Sequence, residues 1–228
     1  PLVLNASGGG TVNTGIFITG SAATGTINFT DVEIAGARTG LRIGDARPIL
    51  NIDRLIIQTG SNGTGILLED YNPTVANLAT DPDDILQISG GSVGIEIRRT
   101  NLSSAFQTLT IGHANPSQGA GTSITNSGSV SLRIEDTGRT SPSRTTITFN
   151  GSITQPSGQH AIDLANLRDT ALTFNGPIVA TTDDVAIISK VDSLSRLTFT
   201  GGLDLTTTTS AAAIDVTEGS LSVTGAGN

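Results

Sequence analysis

The amino-acid sequence predicts an all-β fold: a right-handed parallel β-helix, a solenoid of about eight to nine coils of roughly 25 residues with three short strands per coil. The first observation behind this prediction is a repeat. Residues 145–153 (Thr-Thr-Ile-Thr-Phe-Asn-Gly-Ser-Ile) return as 170–178 (Thr-Ala-Leu-Thr-Phe-Asn-Gly-Pro-Ile) and more loosely as 196–203 (Arg-Leu-Thr-Phe-Thr-Gly-Gly-Leu). The central Phe residues of these segments follow one another at intervals of 25 residues. A strand and a bend repeated at such an interval are typical of a solenoid.

The second observation is a shortage of large side chains. The 228 residues include 28 Gly, only 3% aromatic residues, and no Cys, Met or Trp. A globular domain with this composition would not fill a thick core at the usual packing density. The core of a solenoid is a thin column of Ile, Leu, Val and a few Phe, which this sequence can supply. The absence of Cys also excludes a disulfide framework.

Apolar-polar-apolar pairs, the pattern of a strand with one buried face, recur through the chain and sort into three columns. The first column contains Leu2/Leu4, Ile27/Phe29, Leu50/Ile52, Leu86/Ile88, Leu109/Ile111, Ile147/Phe149, Leu172/Phe174, Leu197/Phe199 and Leu221/Val223. The second contains Ile16/Ile18, Leu41/Ile43, Ile66/Leu68, Ile95/Ile97, Leu132/Ile134, Ile162/Leu164, Ile187 and Ile214/Val216. A weaker third contains Val32/Ile34, Leu55/Ile57, Ile153, Ile178 and Leu203/Leu205. The right hand follows from the usual chirality of parallel crossovers.

The residues around the first column have structural interpretations. Four of the six Phe share one register, and we interpret them as an internal stack because polar residues alternate with them. Asn5, Asn150 and Asn175 directly follow that register and are expected at a corner, where Asn accepts a left-handed conformation. The Asn-Gly or Gly-Gly pair at this place suits a bend, since both residue types tolerate positive φ.

Irregular spacing predicts loop excursions at 69–84, 98–106, 112–129 and 135–144. Three of them, all but 112–129, follow second-column strands of consecutive coils, so we expect them to stack on one flank of the solenoid. Insertions in solenoids usually collect on the binding face. The pattern begins and ends in the middle of a coil, which predicts one β-helix domain over 1–228 with uncapped ends, excerpted from a longer chain.

The composition argues against several functions. The net charge is −8, the isoelectric point is near 4.5, and a single Lys accompanies eleven Arg. No basic stripe is present to neutralise phosphates, so nucleic-acid binding is disfavoured. Apolar runs are too short for direct membrane insertion. Neither metal-ligand spacing nor a nucleotide motif occurs, so no metal and no cofactor are expected.

The central excursions gather charged residues and the only Tyr. A carbohydrate or an acidic ligand could bind there, with Arg forks for carboxylates and the Tyr ring for stacking. The residues of this predicted binding site are Tyr71, Asp81, Asp83, Asp84, Arg98, Arg99, Asn101, Arg139 and Arg144. The alternative is that Arg98 and Arg99 pair with Asp83 and Asp84 and only order the loops.

An enzymatic alternative comes from a motif order. Asp83-Asp84, Gly112-His113 and Arg133-Ile134 resemble the order in the polygalacturonase group of β-helical pectinases, which implies acid catalysis by paired carboxylates, with Asp83, Asp84 and His113 as candidate catalytic residues. The sequence departs from that pattern at Ala114, where the group has a second Gly, and at Glu135, where it has Lys. No Asn-Thr-Asp precedes the Asp pair.

Over its whole length the chain resembles the β-helical passenger of bacterial autotransporters and related large adhesins. The resemblance lies in the Thr-Phe-Asn-Gly and Thr-Phe-Thr-Gly segments, the Thr-Gly-Ile/Leu segments and the excess of Ser, Thr, Gly and Asn. It implies export to the bacterial cell surface or secretion, and a non-enzymatic role as an adhesin or stalk that contacts a glycan or a protein of a host or neighbouring cell. The alternatives are a polysaccharide-cleaving enzyme of the tailspike type, and a structural repeat of a surface filament or layer that self-associates end to end or laterally.

Overall fold

A computed structural model describes residues 2–5, 13–20, 25–71, 73, 75–98, 108–115, 121–126, 128–135 and 145–225. The described residues form 24 short β-strands, all paired in parallel, and every pairing joins a strand to the one three places further along the chain. This order means that the chain passes through three sheets in turn and then returns to the first. The protein is therefore a parallel β-helix, as the repeat predicts.

Sheet 1 holds the Leu-x-Phe strands. Its two-stranded part comprises β3 (Thr26–Phe29) and β6 (Ile49–Ile52). The strand β6 packs against the six-stranded part, which comprises β9 (Val75–Leu78), β12 (Thr108–Ile111), β15 (Thr145–Phe149), β18 (Thr170–Phe174), β21 (Arg196–Phe199) and β24 (Ser220–Val223).

Sheet 2 corresponds to the predicted second column. Its strands are β2 (Thr14–Thr19), β5 (Thr39–Gly44), β8 (Thr64–Glu69), β11 (Val93–Arg98), β14 (Val130–Glu135), β17 (His160–Leu167), β20 (Ile187–Val191) and β23 (Ile214–Val216). Each predicted pair of this column lies in register with the next, for example Ile66 with Ile95 and Ile95 with Leu132.

Sheet 3 is the predicted weaker column and proves as continuous as sheet 2. Its strands are β1 (Leu2–Asn5), β4 (Val32–Ala35), β7 (Arg54–Thr59), β10 (Ile85–Gly90), β13 (Gly121–Thr125), β16 (Ser152–Gln155), β19 (Ile178–Thr182) and β22 (Leu203–Thr207). The chain runs from sheet 1 to sheet 3, then to sheet 2, and back to sheet 1.

Two column assignments and two loop assignments are wrong for one reason. All three sheets bury the same apolar-polar-apolar pattern, so the pattern does not say to which sheet a pair belongs. Leu2/Leu4 and Leu86/Ile88 lie in sheet 3, because β1 pairs with β4 and β10 pairs with β7. The predicted loop 69–84 contains β9, whose inner positions are only Ala76 and Leu78, and the predicted loop 112–129 contains β13.

The core is the column enclosed by the three sheets. Its members are Ile, Leu, Val, Ala and Phe side chains with little or no exposure, and one connected cluster contains residues from Phe29 to Phe199. The predicted Phe stack is confirmed for the three later coils. The Phe149 and Phe174 ring centroids are 6.3 Å apart, and those of Phe174 and Phe199 are 4.9 Å apart with nearly parallel planes.

The corner between sheet 1 and sheet 3 is built by an Asn ladder. The Asn150 side-chain amide donates to the Gly112 carbonyl at 2.7 Å, and the Asn175 amide donates to Asn150 Oδ1 at 2.7 Å. The Thr200 hydroxyl continues the ladder by donating to Asn175 Oδ1 at 2.6 Å. These Asn residues are structural, as expected, but neither has positive φ, so hydrogen bonding between coils explains them. The side chain of Asn5 lies outside the described residues.

The glycines after these Asn residues allow close approach rather than a left-handed bend. Gly151, Gly176 and Gly201 do not have positive φ; in the Gly-Gly pair only Gly202 does, at 89°. A Cβ on Gly176 would lie 1.9 Å from the Gly151 carbonyl oxygen, and one on Gly201 would lie 2.2 Å from the Gly176 oxygen. Successive coils therefore pack backbone against backbone at this corner, and no side chain fits between them.

The third corner, between sheet 3 and sheet 2, buries polar side chains that bond the backbone of the turn. Gln155 is fully buried, and its amide donates to the carbonyls of Gly128 at 2.9 Å and Ser157 at 2.6 Å. The amide of Asn126 donates to the Val130 carbonyl at 2.7 Å. Side-chain amides thus satisfy carbonyls that the short turns leave without a partner. Within the described residues, no helix is long and apolar enough to cross a membrane.

Candidate functional site

Long connections leave the solenoid at the corner between sheet 2 and the following strand of sheet 1, here called the 2–1 corner. Glu69, Arg98 and Glu135 end the consecutive strands β8, β11 and β14, and they are in register. The chain therefore leaves the coil at the same place three times. The strand ends from which the three predicted excursions start are thus aligned, and the first connection is only 70–74. That the excursions stack on one flank stays a prediction, because 99–107 and 136–144 lie outside the described residues.

A network of ion pairs crosses the outer face of sheet 2 at this corner. Arg98 donates to Glu69 Oε1 from Nε at 3.0 Å and from Nη2 at 2.7 Å, and its Nη1 lies 3.5 Å from Glu96. The other oxygen of Glu69 accepts from Arg42. Of the two alternatives for Arg98, pairing is the observed one, but with Glu69 and Glu96 rather than with Asp83 and Asp84. Its guanidinium is consequently not free for a ligand.

Glu69 is the centre of this network, and its pKa reflects that position. Burial raises the pKa of the Glu69 carboxyl, but the hydrogen bonds from Arg42 and Arg98 outweigh it, and the pKa lies below the ordinary value of 4.5. Because the folded-state pKa is lower than the unfolded one, the charged form stabilises the fold. This stabilisation is complete well above pH 4.5 and is lost as the pH falls through the folded-state pKa.

We expect Glu69→Gln to lower the free energy of unfolding by about 1–2 kcal/mol at pH 7, since it removes the negative charge that accepts three hydrogen bonds from Arg42 and Arg98 at a half-buried position. The difference from the parent protein should shrink below pH 4.5. Urea unfolding at pH 7 and pH 3 measures both effects, and Glu218→Gln at an exposed site is the matched control. A difference that is the same at both pH values would contradict the assignment.

Tyr71 does not fit its predicted role as a stacking platform. Its side chain is 2% exposed, and its hydroxyl donates to the Pro48 carbonyl at 3.0 Å. Burial raises the pKa of the Tyr71 hydroxyl far above its usual range. The ring belongs to the core cluster and is therefore packed inside the solenoid at the 2–1 corner. The prediction is wrong because a lone Tyr in a loop-like segment gives no sign of its burial.

The acidic residues of the predicted site lie at another corner. The unrecognised strand β9 carries the chain through sheet 1, so Asp81, Asp83 and Asp84 follow it at the corner between sheet 1 and sheet 3. There Asp84 Oδ2 accepts the Asp81 backbone N–H at 2.8 Å. Burial, followed by the charges of Asp81, Asp53 and Asp83, raises the pKa of Asp84. These side chains and Arg98 do not form one site.

The candidate catalytic His113 lies at the same corner as Asp84, one coil further on, because Gly121 after it pairs with Asp84. Its Nδ1 accepts the backbone N–H of Asn115 at 3.1 Å, the geometry of a local turn. Arg133 of the pectinase-like motif is on sheet 2, where its Nε lies 3.2 Å from Asp163. The motif is thus divided between a corner and a sheet.

Four residues of the predicted binding site lie outside the described residues: Arg99, Asn101, Arg139 and Arg144. They remain sequence predictions. In the described parts of the chain, no group of three or more His, Cys, Asp or Glu side chains is placed to hold a metal ion.

The structure reveals a cleft that the sequence analysis missed. It lies at the 2–1 corner of the last coils, has a volume of about 360 Å³, and is here called the basic cleft. Its lining comes from three segments that are distant in sequence: Asn166, Leu167 and Arg168; Lys190, Val191 and Asp192; Thr217 and Glu218. The only sequence signal is that Lys190 is the single Lys of the chain. No motif connects segments this far apart.

The charged side chains of the basic cleft differ in whether they have hydrogen-bond or ion-pair partners. Asp192 Oδ1 and Oδ2 accept the Asp169 N–H at 3.1 and 3.0 Å, and Oδ1 accepts the Ser195 hydroxyl at 2.7 Å. Although burial acts to raise it, these and other backbone hydrogen bonds lower the pKa of Asp192. Arg168 and Lys190 are exposed, and neither forms an ion pair with any described residue.

The fold and these corners define the chain as a parallel β-helix protein with two surface features at one corner, the long connections and the basic cleft. Comparisons with protein-family models, with curated proteins and with solved structures find no match to the chain.

Proposed function

We propose that the chain is a non-enzymatic segment of a bacterial surface or secreted protein that acts as an adhesin or stalk. The β-helix serves as a rigid support, and the connections at the 2–1 corner are its contact surface for a glycan or a protein of another cell. The resemblance to autotransporter passengers and the composition rich in Ser, Thr, Gly and Asn support this assignment.

The observation that carries the proposal is the common origin of the connections. Segments 70–74, 99–107 and 136–144 follow the register-matched residues Glu69, Arg98 and Glu135. In the next coil the same corner is crossed by 168–169 alone. Two of the three nine-residue connections between described strands, 99–107 and 136–144, therefore follow sheet 2 in neighbouring coils, whereas the third, 112–120, follows sheet 1. Solenoids usually collect such insertions on the binding face.

The support is suited to display because it is rigid and elongated. Sheet 2 has eight strands in the described residues, and parallel strands lie about 4.8 Å apart, which gives a rod about 34 Å long. The ion pairs of Arg42, Glu69 and Arg98 hold neighbouring strands together below the connections. A contact surface built on this rod is held at a fixed distance from any anchor.

The test replaces 99–107 and 136–144 together by short Gly-Ser connections in the protein displayed on its cell. We expect adhesion to target cells to fall at least tenfold while the circular dichroism spectrum of the segment is retained. Neither protein should release reducing ends from polysaccharides. The matched control is a Gly-Ser replacement of 208–213, at the corner between sheet 3 and sheet 2. Full adhesion by the folded double replacement, or released reducing ends, would refute the proposal.

A further inference from the structure

We infer that the basic cleft binds the carboxylate of an acidic saccharide chain, with Arg168 and Lys190 as the carboxylate ligands. The inference rests on the proposed function and gives it a class of ligand. It also adds a binding site that none of the sequence motifs assigns.

The first argument is that two cations without a described carboxylate partner share one cleft. Arg38, Arg47 and Arg196 also form no ion pair with a described residue, but they do not line this cleft. Arg42, Arg54, Arg98 and Arg133 are each within hydrogen-bond or ion-pair distance of a carboxylate. In a chain with net charge −8, carboxylates are plentiful, yet Arg168 and Lys190 have none within the described residues. They line one concave surface, where a bound carboxylate could meet both.

The second argument is the backbone that presents them. The pairing of β17 with β20 shifts register between Ala165 and Leu167, so Asn166 is an extra residue, a β-bulge with φ of 58°. Bulges redirect side chains and are common beside binding sites. Asn166 at the bulge is exposed and lines the cleft. Leu167 and Val191, which also line it, are buried and form its base.

The third argument concerns the kind of ligand. The carboxylate of Asp192 accepts hydrogen bonds from the Asp169 backbone N–H of the preceding coil and from the Ser195 hydroxyl of its own turn, and it forms no ion pair with either cation. Asn166 and Thr217 add an amide and a hydroxyl to the lining, and Glu218 adds a second carboxylate, which can accept hydrogen bonds from sugar hydroxyls. A sugar offers both a carboxylate for the cations and hydroxyls for these groups. Among the described lining residues, the apolar side chains of Leu167 and Val191 are buried and do not offer a pocket for an apolar anchor residue of a peptide, so a saccharide fits better than an acidic peptide.

The location agrees with the proposed contact surface. Glu135, which precedes the connection 136–144, is in register with Ala165, and Ala165 is in register with Lys190. The cleft thus continues the line of the long connections along the 2–1 corner. A polysaccharide lying along this corner would meet the connections and the cleft in succession.

Isothermal titration calorimetry of the full chain with hexasaccharides of hyaluronan and of alginate tests the inference. At least one should bind, more weakly at higher salt. The carboxyl-reduced form of the same hexasaccharide should not bind. Arg168→Gln and Lys190→Gln should each weaken binding about tenfold, a typical loss for one charged hydrogen bond. Arg196→Gln makes the same charge change outside the cleft and should leave the affinity unchanged.

Three outcomes would overturn the inference: binding of neither hexasaccharide, equal binding of the carboxyl-reduced form, or binding of hexaglutamate alone. Because the substituted side chains are exposed, circular dichroism should confirm that each variant folds, and chemical-shift mapping on the parent protein gives the site independently. If replacing the long connections abolishes adhesion but no hexasaccharide binds, only this inference fails. If adhesion survives that replacement and the hexasaccharide binds through Arg168 and Lys190, only the proposed adhesion site fails.

Discussion

Phe174→Ala is expected to lower the free energy of unfolding by about 3–5 kcal/mol, the largest effect of any single change considered for this protein. The Phe174 ring lies between those of Phe149 and Phe199 in successive coils and is 2% exposed. Its removal leaves a cavity in the thin core between the three sheets. The neighbouring coils cannot fill that cavity, because their backbones are held in register by sheet 1.

Urea unfolding followed by circular dichroism measures this loss. The control is Phe17→Ala, since the Phe17 ring is 53% exposed and contacts the chain mainly through Arg42, whose guanidinium carbon is 5.0 Å from the ring centroid. Its expected cost is about 0.5–1 kcal/mol. Equal losses for the two variants would mean that the Phe stack is not the stabilising element of these coils.

Gly176→Ala is expected to destabilise the protein by about 2–3 kcal/mol, the second largest effect. The new methyl group would lie 1.9 Å from the Gly151 carbonyl oxygen, well inside contact distance, and the obstacle is backbone rather than a movable side chain. The backbone φ at this position is not positive, so strain in the residue itself does not contribute. Coils 145–155 and 170–182 would have to separate, weakening the Asn150–Asn175 hydrogen bond.

The control is Gly60→Ala, where nothing lies within 4 Å of the added Cβ and φ is not positive. That change should be neutral or stabilise by up to about 1 kcal/mol, because Ala restricts the unfolded chain. Both variants can be compared by urea unfolding and by amide hydrogen exchange. Loss of protection should be concentrated in the strands next to Gly176, since each coil contacts only its neighbours. An unaffected Gly176→Ala protein would disprove the close approach.

Most strands of this fold could be predicted from the sequence, because apolar and polar residues alternate in a strand that has one buried face. The second-column pairs and the Phe register are local patterns of this kind. The sheet to which a pair belongs is not local. Leu86/Ile88 looks like Leu109/Ile111, yet β10 lies in sheet 3 and β12 in sheet 1. The choice depended on β9, whose inner Ala76 gives a weak apolar signal.

In the candidate site, too, local patterns could be predicted from the sequence, whereas contacts between coils could not. The sequence by itself determined that the chain forms a β-helix with its long connections after second-column strands, since period and spacing are properties of contiguous residues. Only the tertiary structure decided that Tyr71 is buried, that Arg98 pairs with Glu69, that Asp84 lies at a different corner, and that Arg168 and Lys190 share a cleft. Each of these facts depends on which residues of neighbouring coils meet. The separation of such partners varies along the chain, from 23 positions for Ile27 and Leu50 to 38 for Ile111 and Phe149, because an insertion in any coil changes the match.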